Sequence, residues 1–338
     1  MHELVDEWDD TLLASSTTKV KWGVLGTARI GLRAVIPAIR QSKNGQVVAI
    51  ASRDSAKSRE TARALGIEES YGSYEKLLES PDVDAVYIPL PNSLHGEWTI
   101  RAAEMGKHVL CEKPLALNRD ECAKMISSCR RHDVWLMEAF MYRFHPQIVK
   151  LKEMIDAGDV GTISVIRTDF RIGLQDLEDI RYQKELGGGA LMDVGCYCVN
   201  IACLLIGREP NYVRGVARLN EQKGVDEAFA GAMRYAKSEL AVFDCAFRSV
   251  NHQTVEVIGD RVTLELPAPF LPGDSPVILR HAEKTETLVC QTANHYRLMV
   301  EDFADCVLDE REPSYRPTDS LNNMRTIDML YESARSAS

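Results

Sequence analysis

The sequence lacks an apolar run approaching the ~18 residues that a membrane-crossing helix needs. It also lacks a CxxC pair, any cluster of lysines and arginines, and a basic-then-apolar leader. Each absence removes a class of function. Without a long apolar run, a helical membrane protein is not indicated. A nucleic-acid surface needs clustered cations to neutralise phosphates, and a chain of net charge -10 with dispersed cations does not supply them. Met1–Asp10 is acidic where a secretory signal would begin basic, so no export is implied. The nine cysteines (111, 122, 129, 196, 198, 203, 245, 290 and 306) are odd in number. Several fall on expected buried faces, as reduced thiols do, which reads as a cytoplasmic protein without structural zinc. The eight histidines show no metal-ligand spacing, so no metal site is expected.

What is present is a composition of 45% hydrophobic and 27% charged residues over 338 positions, enough for two separate cores. From Lys19 to Phe140, short apolar runs alternate with helical patterns, the signature of a parallel sheet covered on both faces. The expected strands are Val20–Leu25, Val47–Ala51, Ala85–Leu90, His108–Cys111 and Val134–Met137. Gly66 and Gly106 stand where helices should stop, Asn118 with Glu121 starts one, and Pro37 predicts a kink or an early end. Cys122, Met125, Ile126 and Cys129 form one buried helical stripe.

After Phe140 the rhythm changes. Helices are expected near His145–Ala157 and Ala190–Ile206. Strand-like runs follow at Val213–Leu219, Ala228–Tyr235, Leu240–Phe247, Thr254–Ile258 and Arg261–Leu266, and helices at Tyr296–Leu308 and Thr318–Ala334 close the chain. The fold class is therefore α/β: a doubly wound parallel sheet, then an α+β unit with a large open antiparallel sheet. The boundaries read as a loose extension (1–18), a dinucleotide-binding domain (19–140) and a substrate and oligomerisation domain (141–338), whose last helix is free to pack back on the first.

Four places carry chemistry. In Trp22-Gly-Val-Leu-Gly-Thr-Ala-Arg-Ile-Gly31, Gly26 and Gly31 take the outer positions of a dinucleotide fingerprint and Ala28 replaces the middle glycine. Gly26 permits the tight turn, Gly31 lets helix pack on strand, and backbone N–H groups of Thr27, Ala28, Arg29 and Ile30 face a pyrophosphate. At the end of the second strand, Ala51-Ser52-Arg53-Asp54 offers a hydroxyl and a guanidinium, with Lys57 a helical turn on. These suit the 2′-phosphate of NADP, unless Asp54 turns inward and takes the ribose as in NAD enzymes.

The third place, Val109-Leu-Cys-Glu-Lys-Pro114, ends a parallel strand, where ligands bind in open α/β sheets. Pro114 restricts Lys113 to extended backbone and gives their peptide bond a real chance of being cis. By themselves Glu112 and Lys113 also fit a surface ion pair. The fourth is the apolar helix after Gly187-Gly-Gly, whose polar residues Asp193, Tyr197 and Asn200 are spaced to share one face. That face fits either a polar stripe satisfied within the core or a wall looking across a cleft at Lys113.

Together these four segments resemble the Gfo/Idh/MocA family of glucose-fructose oxidoreductase, inositol dehydrogenase and rhizopine-catabolism proteins. The most specific parts are Glu112-Lys113-Pro114 and Gly187-Gly-Gly-Ala-Leu-Met-Asp-Val-Gly-Cys-Tyr197. Pro91-Asn92-Ser-Leu-His95 and Glu138-Ala-Phe-Met-Tyr-Arg-Phe-His-Pro146 support them. Tyr197, where inositol dehydrogenases often have histidine, is similar to the branch with NADP-dependent xylose dehydrogenases, dimeric dihydrodiol dehydrogenases and sugar 3-ketoreductases.

The resemblance implies Lys113, Tyr197 and Asp193 as catalytic residues. It implies cofactor contacts from Leu90, Pro91, Asn92, His95, Glu112, Arg181 and Tyr296 besides the fingerprint and Ser52, Arg53 and Lys57. The expected function is hydride transfer between NADP and a carbohydrate-like small molecule, by a homodimer or homotetramer associating through the open sheet. A Lys113 ammonium near Tyr197 is expected to favour the phenolate. A trans-dihydrodiol substrate, a nucleotide-linked ketosugar and a non-catalytic dinucleotide sensor are the alternatives.

Overall fold

The computed structural model describes residues 18–237 and 239–336, so all but Thr18 of the expected extension lies outside the described residues. The first unit runs β1 (Val20–Leu25), α1 (Ile36–Gln41), β2 (Gly45–Ala51), α2 (Ser55–Leu65), β3 (Glu69–Tyr71), α3 (Tyr74–Leu78), β4 (Ala85–Ile88), α4 (His95–Glu104), β5 (His108–Cys111), α5 (Arg119–Arg131) and β6 (Leu136–Glu138). The six strands are all parallel in the order β3-β2-β1-β4-β5-β6. The order reverses between β1 and β4, which opens a crevice at their carboxyl ends. Trp22, Val24, Leu25 and all of β4 are buried, as strands with helices on both faces require.

The local signals act as read. The Asn118 side chain accepts the Glu121 N–H, Gly66 ends α2 at φ 59°, and the stripe from Cys122 to Cys129 is buried. Before Pro37 the helix opens into a π-type turn, Gly31–Val35, closed by the Ile36 N–H on the Gly31 carbonyl. The proline has no N–H to continue the α ladder, and α1 ends four residues later at Gln41. Strand β3 was not anticipated, because three half-exposed residues leave no apolar pattern.

The second unit continues with α6 (Pro146–Asp156), β7 (Ile163–Arg171), α7 (Cys196–Ile206), β8 (Tyr212–Asn220), β9 (Val225–Arg234), β10 (Leu240–Ala246), β11 (His252–Gly259), β12 (Thr263–Leu266), β13 (Val277–Arg280), β14 (Thr285–Leu288), α8 (His295–Leu308) and α9 (Pro317–Ser336). The sheet order is β14-β13-β12-β11-β7-β10-β9-β8. One correction concerns its direction: β7 and β10 pair in parallel, so the sheet is only mostly antiparallel. The sequence reading missed β7, whose buried Ile166, Thr168 and Phe170 alternate with Arg167, Asp169 and Arg171 on the open face. It also missed β13 and the edge strand β14, four-residue strands with little buried surface.

Helices α8 and α9 both return to the first unit. Phe303 meets Trp22 with ring centroids 5.5 Å apart, and Asp328 accepts the Arg119 N–H at 2.9 Å. Against the expectation of no such run, one stretch among the described residues, Lys184–Ile206, is long and apolar enough to cross a membrane, but most of it is buried here in the protein core.

Candidate active site

The crevice between the units is a cavity of about 320 Å³. Of the expected residues it gathers Ala28, Ile30, Leu90, Asn92, Glu112, Lys113, Arg181, Asp193, Tyr197 and Tyr296. Gly26 turns the chain out of β1 at φ 113°, and a Cβ there would stand 3.0 Å from Leu90. Only glycine adopts this backbone without strain and leaves the approach to the helix start open. A Cβ on Gly31 would press on Tyr87 and Pro89, in keeping with its expected packing role.

At the end of β2, Arg53 is exposed and Ser52 buried, with the Ser52 hydroxyl accepting the Asp54 N–H at 3.2 Å. The Asp54 carboxylate caps α2 by accepting the N–H groups of Ala56 and Lys57, which lower its pKa. The carboxylate is thus committed to the helix rather than turned towards a ribose. Arg53 lies against Tyr74, whose phenol burial raises while the guanidinium opposes that rise. Tyr74 was not anticipated; it lies on a helix outside any glycine or lysine motif. These features fit a dinucleotide with a 2′-phosphate: an open glycine turn, an exposed guanidinium and a neighbouring carboxylate held by the helix.

Eight expected cofactor residues sit elsewhere than on the cavity wall: Gly26, Ser52 and Arg53, described above, and Thr27, Arg29, Lys57, Pro91 and His95. Thr27 and Arg29 flank Ala28 outside it, and Lys57 is exposed on the first turn of α2. Pro91 precedes the short 3-10 turn Asn92–Leu94. His95 needs a correction as a direct contact, because it is wholly buried behind the crevice. Its Nδ1 lies 2.9 Å from the Pro114 carbonyl and its Nε2 2.8 Å from the Leu90 carbonyl. The neutral ring donates to one of these carbonyls and sits packed between the two loops that carry Leu90 and Lys113.

Lys113 follows β5, and its bond to Pro114 is cis. Its Nζ donates to the Asp193 carbonyl at 2.7 Å and to Asp193 Oδ1 at 2.9 Å. Asp193 Oδ2 accepts from Arg181 Nε at 2.8 Å, and Arg181 also pairs with Asp179. Burial alone would lower Lys113, but Asp193 outweighs it and the ammonium persists. Burial would likewise raise Asp193, but Lys113 and Arg181 hold its carboxyl below the usual range. Glu112 is raised by burial, against a hydrogen bond from the Tyr87 hydroxyl at 2.6 Å.

Asp193 lies in a π-type turn, Leu191–Gly195, that leads into α7 and Tyr197. The Lys113 Nζ is 5.1 Å from the centre of the Tyr197 ring. The Tyr197 hydroxyl donates to Met141 Sδ at 3.6 Å, a weak acceptor that is easily given up. Burial, with Tyr296 and Glu112 nearby, pushes this phenol well above its ordinary value. That overturns the expectation that Lys113 favours a phenolate: Asp193 already neutralises the ammonium, and Tyr197 is a neutral phenol. Asn200 takes the other of the two readings of its helix face, satisfied within the core. It does not face the crevice but joins a buried network with Tyr142, Arg143 and Tyr315.

Much of the remaining lining is apolar: Met141, Phe170, Ile172, Ile180, Leu186 and Leu271. Four of these come from the loops at 171–186 and 248–281, where sequence offers no pattern from which to read a wall. Asn92 bridges the walls, donating to the Gly187 carbonyl at 2.9 Å.

An open dinucleotide turn, a lysine after a parallel strand and a tyrosine facing it from a helix of the second unit define a two-unit nicotinamide oxidoreductase. The chain belongs to the Gfo/Idh/MocA oxidoreductase family. It matches the family's NAD-binding Rossmann fold over residues 20–140 and its C-terminal domain over 148–265. It is 40% identical to D-xylose 1-dehydrogenase (NADP(+)) 2 of Haloferax volcanii, over 93% of this chain and 97% of that one. It is 32% identical to trans-1,2-dihydrobenzene-1,2-diol dehydrogenase of Xenopus laevis, over 78% and 79%. A 3-ketoreductase from Actinomadura kijaniata, solved with NADP and TDP-benzene, superposes with a TM-score of 0.89 at 31% identity, covering 94% and 98%.

Proposed function

We propose that the protein transfers a hydride between NADP and a sugar or sugar-like alcohol, with Lys113 and Tyr197 as the polar groups at the reacting oxygen. The observation that carries this is their convergence: an ammonium with one N–H uncommitted and a weakly held phenol face the same cavity. When bound, the nicotinamide supplies the hydride acceptor or donor. Gly26 and the helix start would hold its pyrophosphate, Arg53 and Ser52 its 2′-phosphate, and Ile30, Leu90 and Tyr296 would flank it.

The chain's own residues manage the proton. Tyr197, neutral at ordinary pH, donates to the oxygen that becomes a hydroxyl during reduction; in oxidation it acts as the base only after its own proton has passed to solvent. Lys113 stabilises negative charge developing on that oxygen through its remaining N–H. Asp193 and Arg181 fix the direction of the ammonium. A lining that combines apolar side chains with these polar groups suits a ring with a C–H face and a hydroxyl edge.

The apolar lining also favours a second reading, a trans-dihydrodiol substrate. A nucleotide-linked ketosugar is less well served, because the cavity's cations, Lys113 and Arg181, are both committed to carboxylates. Initial rates with NADP+ and NAD+ across aldoses, trans-dihydrodiols and nucleotide-linked sugars test the assignment. The expected result is NADP-dependent oxidation of an aldose; turnover confined to another class would redirect it.

Residues 19–140 and 141–338 are proposed as the two domains, and the open sheet face as the surface of a homodimer or homotetramer. That face exposes Leu240 and, lining a hollow of about 760 Å³, Val216 and Val242. All nine cysteines are free, which supports a reducing, cytoplasmic setting.

A further inference from the structure

Glu138, the last residue of β6, is wholly buried and does not line the active-site cavity. Its Oε1 accepts the N–H of Leu115 at 2.8 Å, two residues after Lys113. Its Oε2 accepts the hydroxyl of Tyr315 at 3.0 Å. The Tyr315 oxygen in turn accepts from Asn200 Nδ2 at 2.9 Å, and Asn200 lies one helical turn beyond Tyr197 on α7. The Asn200 carbonyl accepts the Tyr142 hydroxyl at 2.5 Å and an Arg143 N–H at 3.1 Å. The Arg143 guanidinium covers the Tyr315 ring at 4.0 Å.

A buried carboxylate is costly, and an apolar side chain of similar volume is often as stable or more so. Here each carboxylate oxygen instead holds a different stretch of chain, and the chain of hydrogen bonds ends on the two segments that supply the reacting pair.

We propose that Glu138 is a positioning residue: through Tyr315 and Asn200 it ties the Lys113 loop to the Tyr197 helix and sets the spacing of those two groups. This rests on the reading of Lys113 and Tyr197 given above. The two side chains come from different units, and their alignment decides whether an oxygen between them meets both donors. A displacement near 1 Å at such a site costs up to ~100-fold in rate.

Two conservative variants test the tie. Tyr315→Phe removes the bridging hydroxyl and keeps the ring under Arg143. Glu138→Gln keeps the volume and an acceptor for Leu115 but weakens the link to Tyr315. The measurements are kcat, KM, NADPH affinity and the rate at which Lys113 is acylated by acetic anhydride, read by mass spectrometry.

Tyr315→Phe is expected to lower kcat by roughly 10-fold, with KM and NADPH Kd changed less than about 2-fold. Acylation of Lys113 should quicken several-fold as its pairing with Asp193 loosens. Glu138→Gln should shift both in the same direction. Unchanged acylation and kcat in both variants, or losses that only follow the folded fraction, would overturn the proposal. Acylation needs no substrate, so it still tests the tie if the wild-type protein proves inactive on every alcohol tried.

Discussion

Cofactor choice is the consequence of this structure that is easiest to put in numbers. NAD and NADP differ only in the 2′-phosphate, so discrimination must arise where β2 ends. There Arg53 stands against Tyr74, and Asp54, the one carboxylate in the segment, is held by the first turn of α2. A charge-assisted hydrogen bond contributes ~1.5 to 3 kcal/mol, and ~1.4 kcal/mol is tenfold in affinity. Arg53→Ala should therefore weaken NADP by roughly 10 to 100-fold; its exposure to solvent favours the lower half of that range. NAD should change by less than about 2-fold, because it lacks the phosphate. Tyr74→Phe should follow in the same direction and more weakly. Fluorescence titrations of NADPH and NADH into wild type and both variants measure this. Equal losses for the two cofactors on Arg53→Ala would refute the reasoning.

Lys113→Ala and Tyr197→Phe should each lower kcat by at least ~100-fold, the usual contribution of a general acid–base group, while NADPH still binds. Near-normal turnover in either variant would sink the assignment. Burial raises Glu138 from 4.5 to about 7, against Ser320, the Leu115 N–H, Tyr315 and Arg143. A carboxyl raised on folding binds more protons in the native state, so between those two values stability falls as pH rises, by about 3 kcal/mol in all. Glu138→Gln should flatten that part of the pH–stability curve, and identical urea-midpoint slopes in variant and wild type would contradict it. Sedimentation at micromolar concentration should show a dimer or tetramer, with an added charge at Val216 or Val242 shifting it towards monomer; a wild-type monomer would remove the sheet face as an interface.

The first unit was the more legible, because β1, β4 and β5 are buried on both faces and read as short apolar blocks between capped helices. Gly26, Arg53 and Lys113 were legible for a different reason, each sitting at the end of a strand where the rhythm says a crevice must be; Tyr197 was legible as a polar residue on an apolar helix. Long-range partners left less trace. Nothing local to Asn200 shows that its amide turns away from the crevice towards Tyr142 and Tyr315, since a shared helical face does not say which neighbour packs on it. The tie of Asp54 to α2 and the packing of His95 between two loops likewise depend on backbone placement. The high pKa of Tyr197 follows from burial among Phe140, Phe170 and Phe270, three residues far apart in the chain. Strand β7 stayed hidden because its open face carries arginine and aspartate.

The central claim is that this crevice performs hydride transfer rather than merely sensing a dinucleotide. It is tested by mixing NADPH-loaded wild type, Lys113→Ala and Tyr197→Phe with the carbonyl form of the best alcohol substrate and following the absorbance of reduced nicotinamide through a single turnover. Rapid loss of that absorbance in wild type alone, with all three proteins binding NADPH, is the predicted result. Tight NADPH binding with no oxidation by wild type, for any carbonyl tried, would contradict the account and leave a dinucleotide-dependent regulator in its place.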